Sequence, residues 1–292
     1  MNGVLVIDKP SGPTSFDVVR RVRSVLQVRK AGHTGTLDPH ATGVLPVCVG
    51  DATRIAGFIS ERDKSYEAVV RLGEQTDTLD AAGTVVATSA VPPMDVARLE
   101  AALARFRGTF QQIPPMYSAV KIGGRRLYEL ARAGEEVERA PRQVTVHELS
   151  LRDFSSNELR VSLRCSKGFF VRSLAHELGK VLGCGAHLRA LRRTQSGPFV
   201  LAQALPLDRL ESVGAAEVKE RLVSLNEALA DLPAVSVSAS ERVRVSHGVP
   251  LEVRAPAGRV RVLGPDGELL AVAEVAATGR LKYLRVLASE DR

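Results

Sequence analysis

The chain has few of the residues that mark several classes of protein. Its 292 residues include no Trp, four Tyr and eight Phe, so an aromatic surface for stacking unstructured single-stranded nucleic acid is not evident. Its three cysteines, Cys48, Cys165 and Cys184, show no framework spacing, which predicts free thiols in a reducing compartment. No apolar run approaches the roughly 20 residues that span a bilayer, and there is no signal-peptide pattern. We therefore expect a cytoplasmic protein that does not contact a membrane.

Basic residues exceed acidic ones, and most of them are arginine. Lys and Arg number 40 against 33 Asp and Glu, which gives a net charge of +7. Only eight of these 40 are Lys, so 32 are Arg. Guanidinium groups form bidentate pairs with phosphate and stack on unpaired bases, which favours an RNA partner. A genome whose base composition favours arginine codons would produce the same excess.

One stretch near the N-terminus, residues 32–46 (GHTGTLDPHATGVLP), combines three glycines, two prolines and three threonines. This composition disfavours a helix and predicts a tightly turning loop. The apolar run 44–50 that follows predicts a buried strand, and a loop anchored on such a strand can hold one side chain rigidly in a cleft. Asp38 is the only acidic residue between Asp17 and Asp51. It either projects into such a cleft or simply caps the turn before Pro39.

Hydrophobic periodicity predicts an alternation of strands and helices along the rest of the chain. The predicted strands are 4–7, 44–49, 64–73, 144–154 and 158–166. The predicted helices are 16–27, 52–59, 95–107, 125–133, one that ends at Gly183, 206–213 and 222–230. From Val235 onward, β-branched and aliphatic residues alternate, and the run 264–267 (GPDG) predicts a hairpin turn.

The loop GHTGTLDPHATGVLPV closely resembles the signature loop of the TruB family of tRNA pseudouridine synthases. Further matches cover most of the chain: DKPSGPTS, LGEQTDTLDAAG, QIPPMYSAVK, RLYELAR, KGFFVRSL and GAHLRALRRTQSG. The resemblance implies an α+β fold, the pseudouridine synthase fold, with a mixed, largely antiparallel central sheet flanked by helices. It implies a catalytic domain over residues 1–232, with an RNA-gripping thumb insert at about 111–142. Residues 233–292 would form a small β-barrel-like, PUA-type RNA-binding domain.

The same resemblance assigns roles to individual residues. Asp38 takes the position of the catalytic aspartate, Arg172 that of the arginine paired with it, and Tyr66 that of a tyrosine that lies against the target base. Asp38 could then act as nucleophile or as an elimination-promoting base, and Tyr66 could receive the C5 proton. Taken by itself, Tyr66 is equally a cross-strand packing residue.

Four substrate-binding residues complete this expectation. His33 would occupy or prop open the space from which the target nucleotide is extruded, and Phe170 and Leu191 would close an apolar pocket. The family commonly has tyrosine at the position of Phe170, so no role follows here for that hydroxyl. Lys9, in DKPSGPTS, is either a phosphate contact or a solvated strand end.

The implied reaction converts the uridine at position 55 in the tRNA T-arm to pseudouridine. A single carboxylate suits a reaction without hydrolysis, whereas most glycosidases use two. We expect no cofactor, no metal, no obligate protein partner and a monomer. Two other functions remain open: an RNA-binding or RNA-chaperone protein in which the loop is structural, and a base-removing glycosylase.

Two metal sites can also be considered. Asp77 and Asp80 lie in a polar loop, but this loop lacks the glycine and glutamate positions of an EF-hand. His176, Cys184 and His187 could bind zinc, although a fourth ligand is missing and the spacing matches no standard zinc module.

Overall fold

The structure is a computed structural model that describes residues 1–287. Its strands are β1 Gly3–Lys9, β2 Ala31–His33, β3 Thr42–Val49, β4 Lys64–Leu72, β5 Glu74–Thr76, β6 Val85–Thr88, β7 Gly108–Gln112, β8 Lys121–Ile122, β9 Arg125–Arg126, β10 Arg142–Ser155, β11 Glu158–Cys165, β12 Ala186–Ser196, β13 Phe199–Val200, β14 Leu205–Pro206, β15 Ala234–Ser236, β16 Gly258–Leu263, β17 Leu269–Val275 and β18 Leu281–Val286. Its α-helices are α1 Ser15–Leu26, α2 Ala56–Ser60, α3 Val96–Ala104, α4 Leu127–Arg132, α5 Val171–Leu182, α6 Gly214–Glu220 and α7 Ala239–Ser246. Short 3₁₀ helices span Gly50–Arg54, Leu201–Gln203, Leu207–Arg209 and Glu227–Leu229.

A ten-stranded mixed sheet forms the centre of the fold. Eight strands follow the order β14-β1-β3-β12-β4-β11-β10-β7, with β13 paired to β12 and β2 paired to β3. Only the β1–β14 and β3–β12 pairs are parallel, and the other pairs in this sheet are antiparallel. The predicted α+β class, with a mixed and largely antiparallel central sheet, is therefore confirmed.

Local sequence signals set the ends of the two helices nearest the site. Thr14 caps α1 and forms a reciprocal capping box with Asp17, which satisfies free N–H groups of the first turn. Helix α5 follows Phe170 and ends at Gly183, whose φ of 81° suits a residue without a Cβ. The start of α1 and the end of α5 agree closely with the predicted helices.

The two faces of β1 belong to different hydrophobic cores, because successive strand side chains point in opposite directions. Leu5 and Ile7 pack with α1, whereas Val4 and Val6 pack with residues of α2 and of the C-terminal sheet. A further core lies between α3, α5 and the strands β4, β10 and β11. Tyr66 and Leu191 pack against both this core and the α1 core. These two side chains therefore lie at the junction between the two cores.

The C-terminal strands form a second sheet in the order β15-β16-β17-β18. Within residues 1–287, β15 and β18 each pair with one neighbour, so this sheet is open rather than a closed barrel. Strand β17 contributes to two cores, since Leu270 packs within the C-terminal unit while Leu269 and Val272 pack against β1. The C-terminal unit is thus joined to the large sheet by a shared core.

Three sequence predictions about secondary structure are wrong. Segment 206–213 is not a helix beyond the 3₁₀ turn at Leu207–Arg209, because Gly214, at a φ of 76°, redirects the chain into α6. Segment 222–230 keeps only the turn at Glu227–Leu229. The strand-like alternation after Val235 contains α7, which a capping box between Ser238 and Glu241 initiates.

We predict that Val272→Ala destabilises the whole chain. Val272 is fully buried in the core shared with β1, and removing its two methyl groups is expected to cost about 2 kcal/mol of the free energy of unfolding. Urea unfolding followed by circular dichroism measures this loss. Val249→Ala, at a site 41% exposed, is the matched control and should change the free energy by less than about 0.5 kcal/mol. Equal effects of the two substitutions would contradict the shared core.

Candidate active site

A cavity of about 520 Å³ opens at the junction of the two cores. Its walls come from the Asp38 loop, β4, β12, the segment 118–121 and the turn before α5. Among the residues singled out in the sequence, it is bordered by Asp38, Tyr66, Phe170, Arg172 and Leu191. Residues far apart in the sequence are thus brought around one space.

The Asp38 loop is fastened on both sides of the aspartate. Lys9 is completely buried, and its ammonium group donates to the carbonyl oxygens of Pro10, Pro13 and Pro39. Ser15 accepts from the Leu37 amide through Oγ and donates from Oγ to the Leu37 carbonyl. The backbone at positions 37 and 39 is therefore fixed, which limits how far Asp38 can move.

The structure corrects the two readings of Lys9. The side chain is neither a solvated strand end nor placed to contact a phosphate, because its three donors are used inside the protein. Burial lowers the pKa of Lys9 to about 8, and the nearby charge of Asp38 opposes that shift. In this structure Lys9 supports the loop and does not border the cavity.

Arg172, in the first turn of α5, joins the loop to two other segments. Its Nε lies 3.0 Å from Asp38 Oδ2, and its Nη1 lies 3.5 Å from Asp80 Oδ2. It also donates to the carbonyls of Thr78 and Tyr117, at 3.2 and 2.7 Å. Only 6% of the side chain is exposed. Such a planar, buried fork fixes the direction of each partner, while Asp38 itself remains 38% exposed.

The base of the 111–142 insert is attached to the same helix. The Gln112 side chain exchanges two hydrogen bonds with the backbone of Phe170, and Ser173 Oγ donates to the Ile113 carbonyl. Together with the bond from Arg172 to Tyr117, these contacts hold the start of the insert against α5. The Phe170 ring at the cavity wall is consequently supported from its backbone.

Tyr66 lies on β4 directly opposite Arg193 of β12. Its side chain is half-buried and borders the cavity. Burial raises the pKa of Tyr66, the Arg193 guanidinium opposes this rise, and the charge of Asp38 adds to it. The charges of Asp38 and Arg193 thus act on the Tyr66 hydroxyl in opposite directions.

His33 lies at the end of β2, half-buried, and does not border the cavity. Its Nδ1 is buried without a hydrogen-bond partner among the described residues. Burial and the charge of Arg193 lower the pKa of His33, so the ring is neutral at physiological pH. Its role in extruding a nucleotide stays a prediction.

Three residues at the site were not predicted to function there: Asp80, Arg193 and Lys64. Asp80 was considered only as a cation ligand, yet its Oδ1 accepts from Thr78 Oγ1 and from the Ala82 amide while Oδ2 faces Arg172. Arg193 and Lys64 are buried cations that border the cavity. The alternation in AHLRALRRTQS, which forms β12, was the one available signal, since it places Leu191 and Arg193 two residues apart on a strand.

Residues of both considered metal sites form hydrogen bonds within the protein. Asp77 accepts from the Thr84 amide, and the Nδ1 of His187 hydrogen-bonds to the Glu74 carbonyl. Throughout residues 1–287, no three His, Cys, Asp or Glu side chains are grouped as ligands for a metal ion. In the same range, no helix has both the length and the apolar character that a membrane span requires.

Comparison with known proteins defines the class to which this fold and site belong. The model of the TruB family pseudouridylate synthase N-terminal domain matches residues 23–171, and that of the tRNA pseudouridylate synthase B C-terminal domain matches residues 172–232. Among solved structures, a chain of a Cbf5-Nop10-Gar1 complex superposes with a TM-score of 0.77 at 26% identity, covering 99% of this chain and 86% of that one.

Curated relatives are similar over nearly the whole length. A tRNA pseudouridine synthase B from Symbiobacterium thermophilum is 52% identical over 87% of this chain and 84% of its own. One from Pseudomonas syringae pv. syringae is 45% identical over 99% of this chain and 97% of its own. The chain belongs to the TruB family of pseudouridylate synthases. It is therefore an enzyme, and its class of reaction is an isomerisation.

We predict that Asp80→Asn slows turnover without abolishing binding. The substitution keeps the size of the side chain but removes one of the two carboxylates that hold Arg172, and the resulting loss of alignment at Asp38 is expected to lower kcat by about 10- to 100-fold. Steady-state kinetics on a uridine-containing RNA substrate measures kcat and KM. Asp77→Asn, in the same loop but without an ion pair to Arg172, is the matched control. A kcat for Asp80→Asn within twofold of the parent would refute this role of Asp80.

Proposed function

We propose that this enzyme isomerises uridine to pseudouridine at position 55 in the T-arm of tRNA, by flipping the target base out of its stack and using Asp38, with no cofactor. The single observation that carries the proposal is the Asp38 carboxylate, held by the buried Arg172 guanidinium at the wall of a cavity of about 520 Å³. The names of the curated relatives support tRNA as the substrate.

The proposed reaction needs only one carboxylate, that of Asp38. The N1–C1′ bond breaks and its electron pair leaves with the base, while Asp38 either attacks C1′ or removes a proton from the sugar. The detached base rotates and forms a new bond from C5 to C1′. No electron is gained or lost overall and no water is consumed, which is why no redox cofactor or hydrolytic metal is needed.

The last step removes the proton from C5. We assign this proton to the ionised Tyr66 hydroxyl, which becomes neutral. The C5–H electron pair then forms the C5=C6 bond, and the N1=C6 pair returns to N1, which takes a proton from solvent. The position of Tyr66 at the cavity wall supports this assignment. The Arg193 guanidinium favours the ionised form, because it lowers the pKa of Tyr66 against the rise that burial and the charge of Asp38 cause.

The remaining site residues are proposed to hold the extruded nucleotide. The Phe170 ring and the Leu191 side chain border the cavity and offer apolar faces to the base. His33 precedes the Asp38 loop and is assigned to the space that the nucleotide vacates. Lys9 is assigned to the support of the loop rather than to direct contact with the substrate.

Binding of the RNA is proposed to use the 111–142 insert. Lys121, Arg125 and Arg126 lie on its exposed hairpin β8–β9, and Arg132 follows on α4. Cations on an exposed arm neutralise phosphates, so binding should weaken as salt increases. We further propose that the unit at 233–292 acts as a PUA-type RNA-binding domain, and that the enzyme works as a monomer in the cytoplasm, where its tRNA substrate is found.

We predict that Asp38→Asn abolishes the reaction while RNA binding persists. The amide can neither attack C1′ nor accept a proton, so release of tritium from tRNA labelled at uridine C5 should fall below detection, with the Kd for tRNA changed by less than about threefold. Asp208→Asn, at an exposed aspartate outside the cavity, is the control and should keep the parent rate. Turnover by Asp38→Asn near the parent rate would refute the role of Asp38.

The same assay separates the proposed function from the alternatives. Tritium release with the base still attached to the RNA indicates the isomerase, and free uracil indicates a glycosylase. Binding without either product indicates an RNA chaperone. A transcript with cytidine in place of uridine 55 should release no tritium if position 55 is the target.

A further inference from the structure

Arg193 is the most deeply buried cation that faces the cavity. It is 1% exposed and lies on β12 directly opposite Tyr66 of β4. Directly opposed residues of antiparallel strands share one face of the sheet. The guanidinium therefore sits beside the Tyr66 ring, beneath the Asp38 loop.

The donors of this guanidinium are directed at the Asp38 loop and the strand that follows it. Nε donates to the Val44 carbonyl at 2.7 Å, Nη2 to the Gly35 carbonyl at 3.1 Å and Nη1 to the Thr36 carbonyl at 3.4 Å. Thr36 is two residues before Asp38. One side chain thus fixes the loop on the N-terminal side of Asp38, while Lys9 and Ser15 fix it at Pro39 and Leu37.

One glycine makes room for this arrangement. A Cβ on Gly43 would lie 2.2 Å from the Arg193 carbonyl oxygen, and Gly43 has a φ of 101°. Strand β3 can therefore approach β12 closely enough for the Val44 carbonyl to reach the guanidinium.

The charge of Arg193 has no carboxylate partner among residues 1–287. Its hydrogen bonds there are made to backbone carbonyls, and the Tyr66 hydroxyl lies close enough for the two groups to interact. A buried cation without a counterion is costly, and such costs are typical of functional sites. A role limited to packing would not require a permanent charge at this position.

We propose that Arg193 is a positioning residue of the reaction, which aligns Asp38 through the Gly35–Thr36 carbonyls and favours the ionised form of the Tyr66 hydroxyl. This inference rests on the proposed function, because it gives Arg193 a task in the removal of the C5 proton. The groups that face Tyr66 are Arg193 from β12, Asp38 from the loop and Cys165 from β11. Of these, only Arg193 favours the phenolate, since burial and the other two groups oppose it.

The experiment compares Arg193→Met and Arg193→Lys with a matched control. Arg98, in α3, also donates to backbone carbonyls, those of Pro93 and Leu182, but it lies away from the cavity. Arg98→Met therefore reports the consequences of losing a guanidinium that holds backbone outside the site. For each variant, thermal stability, kcat, KM and the pH dependence of single-turnover tritium release are measured on labelled tRNA.

For Arg193→Met we expect kcat to fall about 100-fold with KM changed by less than about threefold, because Asp38 loses alignment while the RNA-binding surface is intact. Arg193→Lys keeps the positive charge but not the planar set of guanidinium donors, so it should recover at least a tenth of the parent rate. Arg98→Met should lose some stability and keep kcat within twofold. If Arg193→Met does not fold, Arg193→Lys, whose kcat should still be several-fold below that of the parent, carries the test.

A spectroscopic signal distinguishes this role from a structural one. The chain has four Tyr, so protein labelled with ¹³C at tyrosine Cζ gives few signals, and Tyr66→Phe identifies that of Tyr66. The titration midpoint of Tyr66 should rise by about one pH unit or more in Arg193→Met, stay near that of the parent in Arg193→Lys and be unchanged in Arg98→Met.

Two results would overturn the proposal: a kcat of Arg193→Met or Arg193→Lys equal to that of the parent, or a fall in kcat with an unmoved Tyr66 signal. Both presuppose a parent enzyme that releases tritium from the labelled tRNA. A parent that releases none would instead refute the proposed function, so the two failures are distinguishable.

Discussion

The geometry of the site depends on one buried guanidinium, that of Arg172. Its donors reach the Asp38 and Asp80 carboxylates and the carbonyls of Thr78 and Tyr117, which belong to three segments distant in the sequence. A single planar group thus sets the relative positions of the Asp38 loop, the loop after β5 and the start of the insert. Because the fork is rigid, a shift in one partner is opposed by the others. A displacement of the insert at Tyr117 would therefore act on the Asp38 carboxylate through the same guanidinium.

The same region holds more cations than a stable interior requires. Lys9, Lys64, Arg172 and Arg193 are all buried near the loop, against the carboxylates of Asp38 and Asp80. Backbone carbonyls, rather than carboxylates, satisfy most of their donors. The floor of the cavity is consequently positive before any substrate enters. Such a field suits a reaction in which the base leaves its sugar as an anion, since the charge is already in place when the bond breaks.

The sequence predicted what local chemistry determines. The composition of residues 32–46 indicated a turning loop, and its resemblance to a known family pointed to Asp38, Tyr66 and Arg172 as neighbours. Arg193 was not singled out, because its importance comes from carbonyls that other strands bring to it. Lys9 was misread for the same reason, since only the folded chain shows that Pro13 and Pro39 surround its ammonium group. The predicted helix 206–213 is wrong because Gly214, whose positive φ the hydrophobic pattern does not reveal, redirects the chain into α6.

Strand β17 covers the outer face of β1 with Leu269 and Val272, which unites the two ends of the polypeptide in one core. A ribosome releases β17 long after β1. During synthesis, the part of this core that Leu269 and Val272 fill therefore stays open to water until β17 emerges, although α2 already packs with Val4 and Val6. A nascent chain stalled before β17 would present this uncovered apolar surface to chaperones and to other chains.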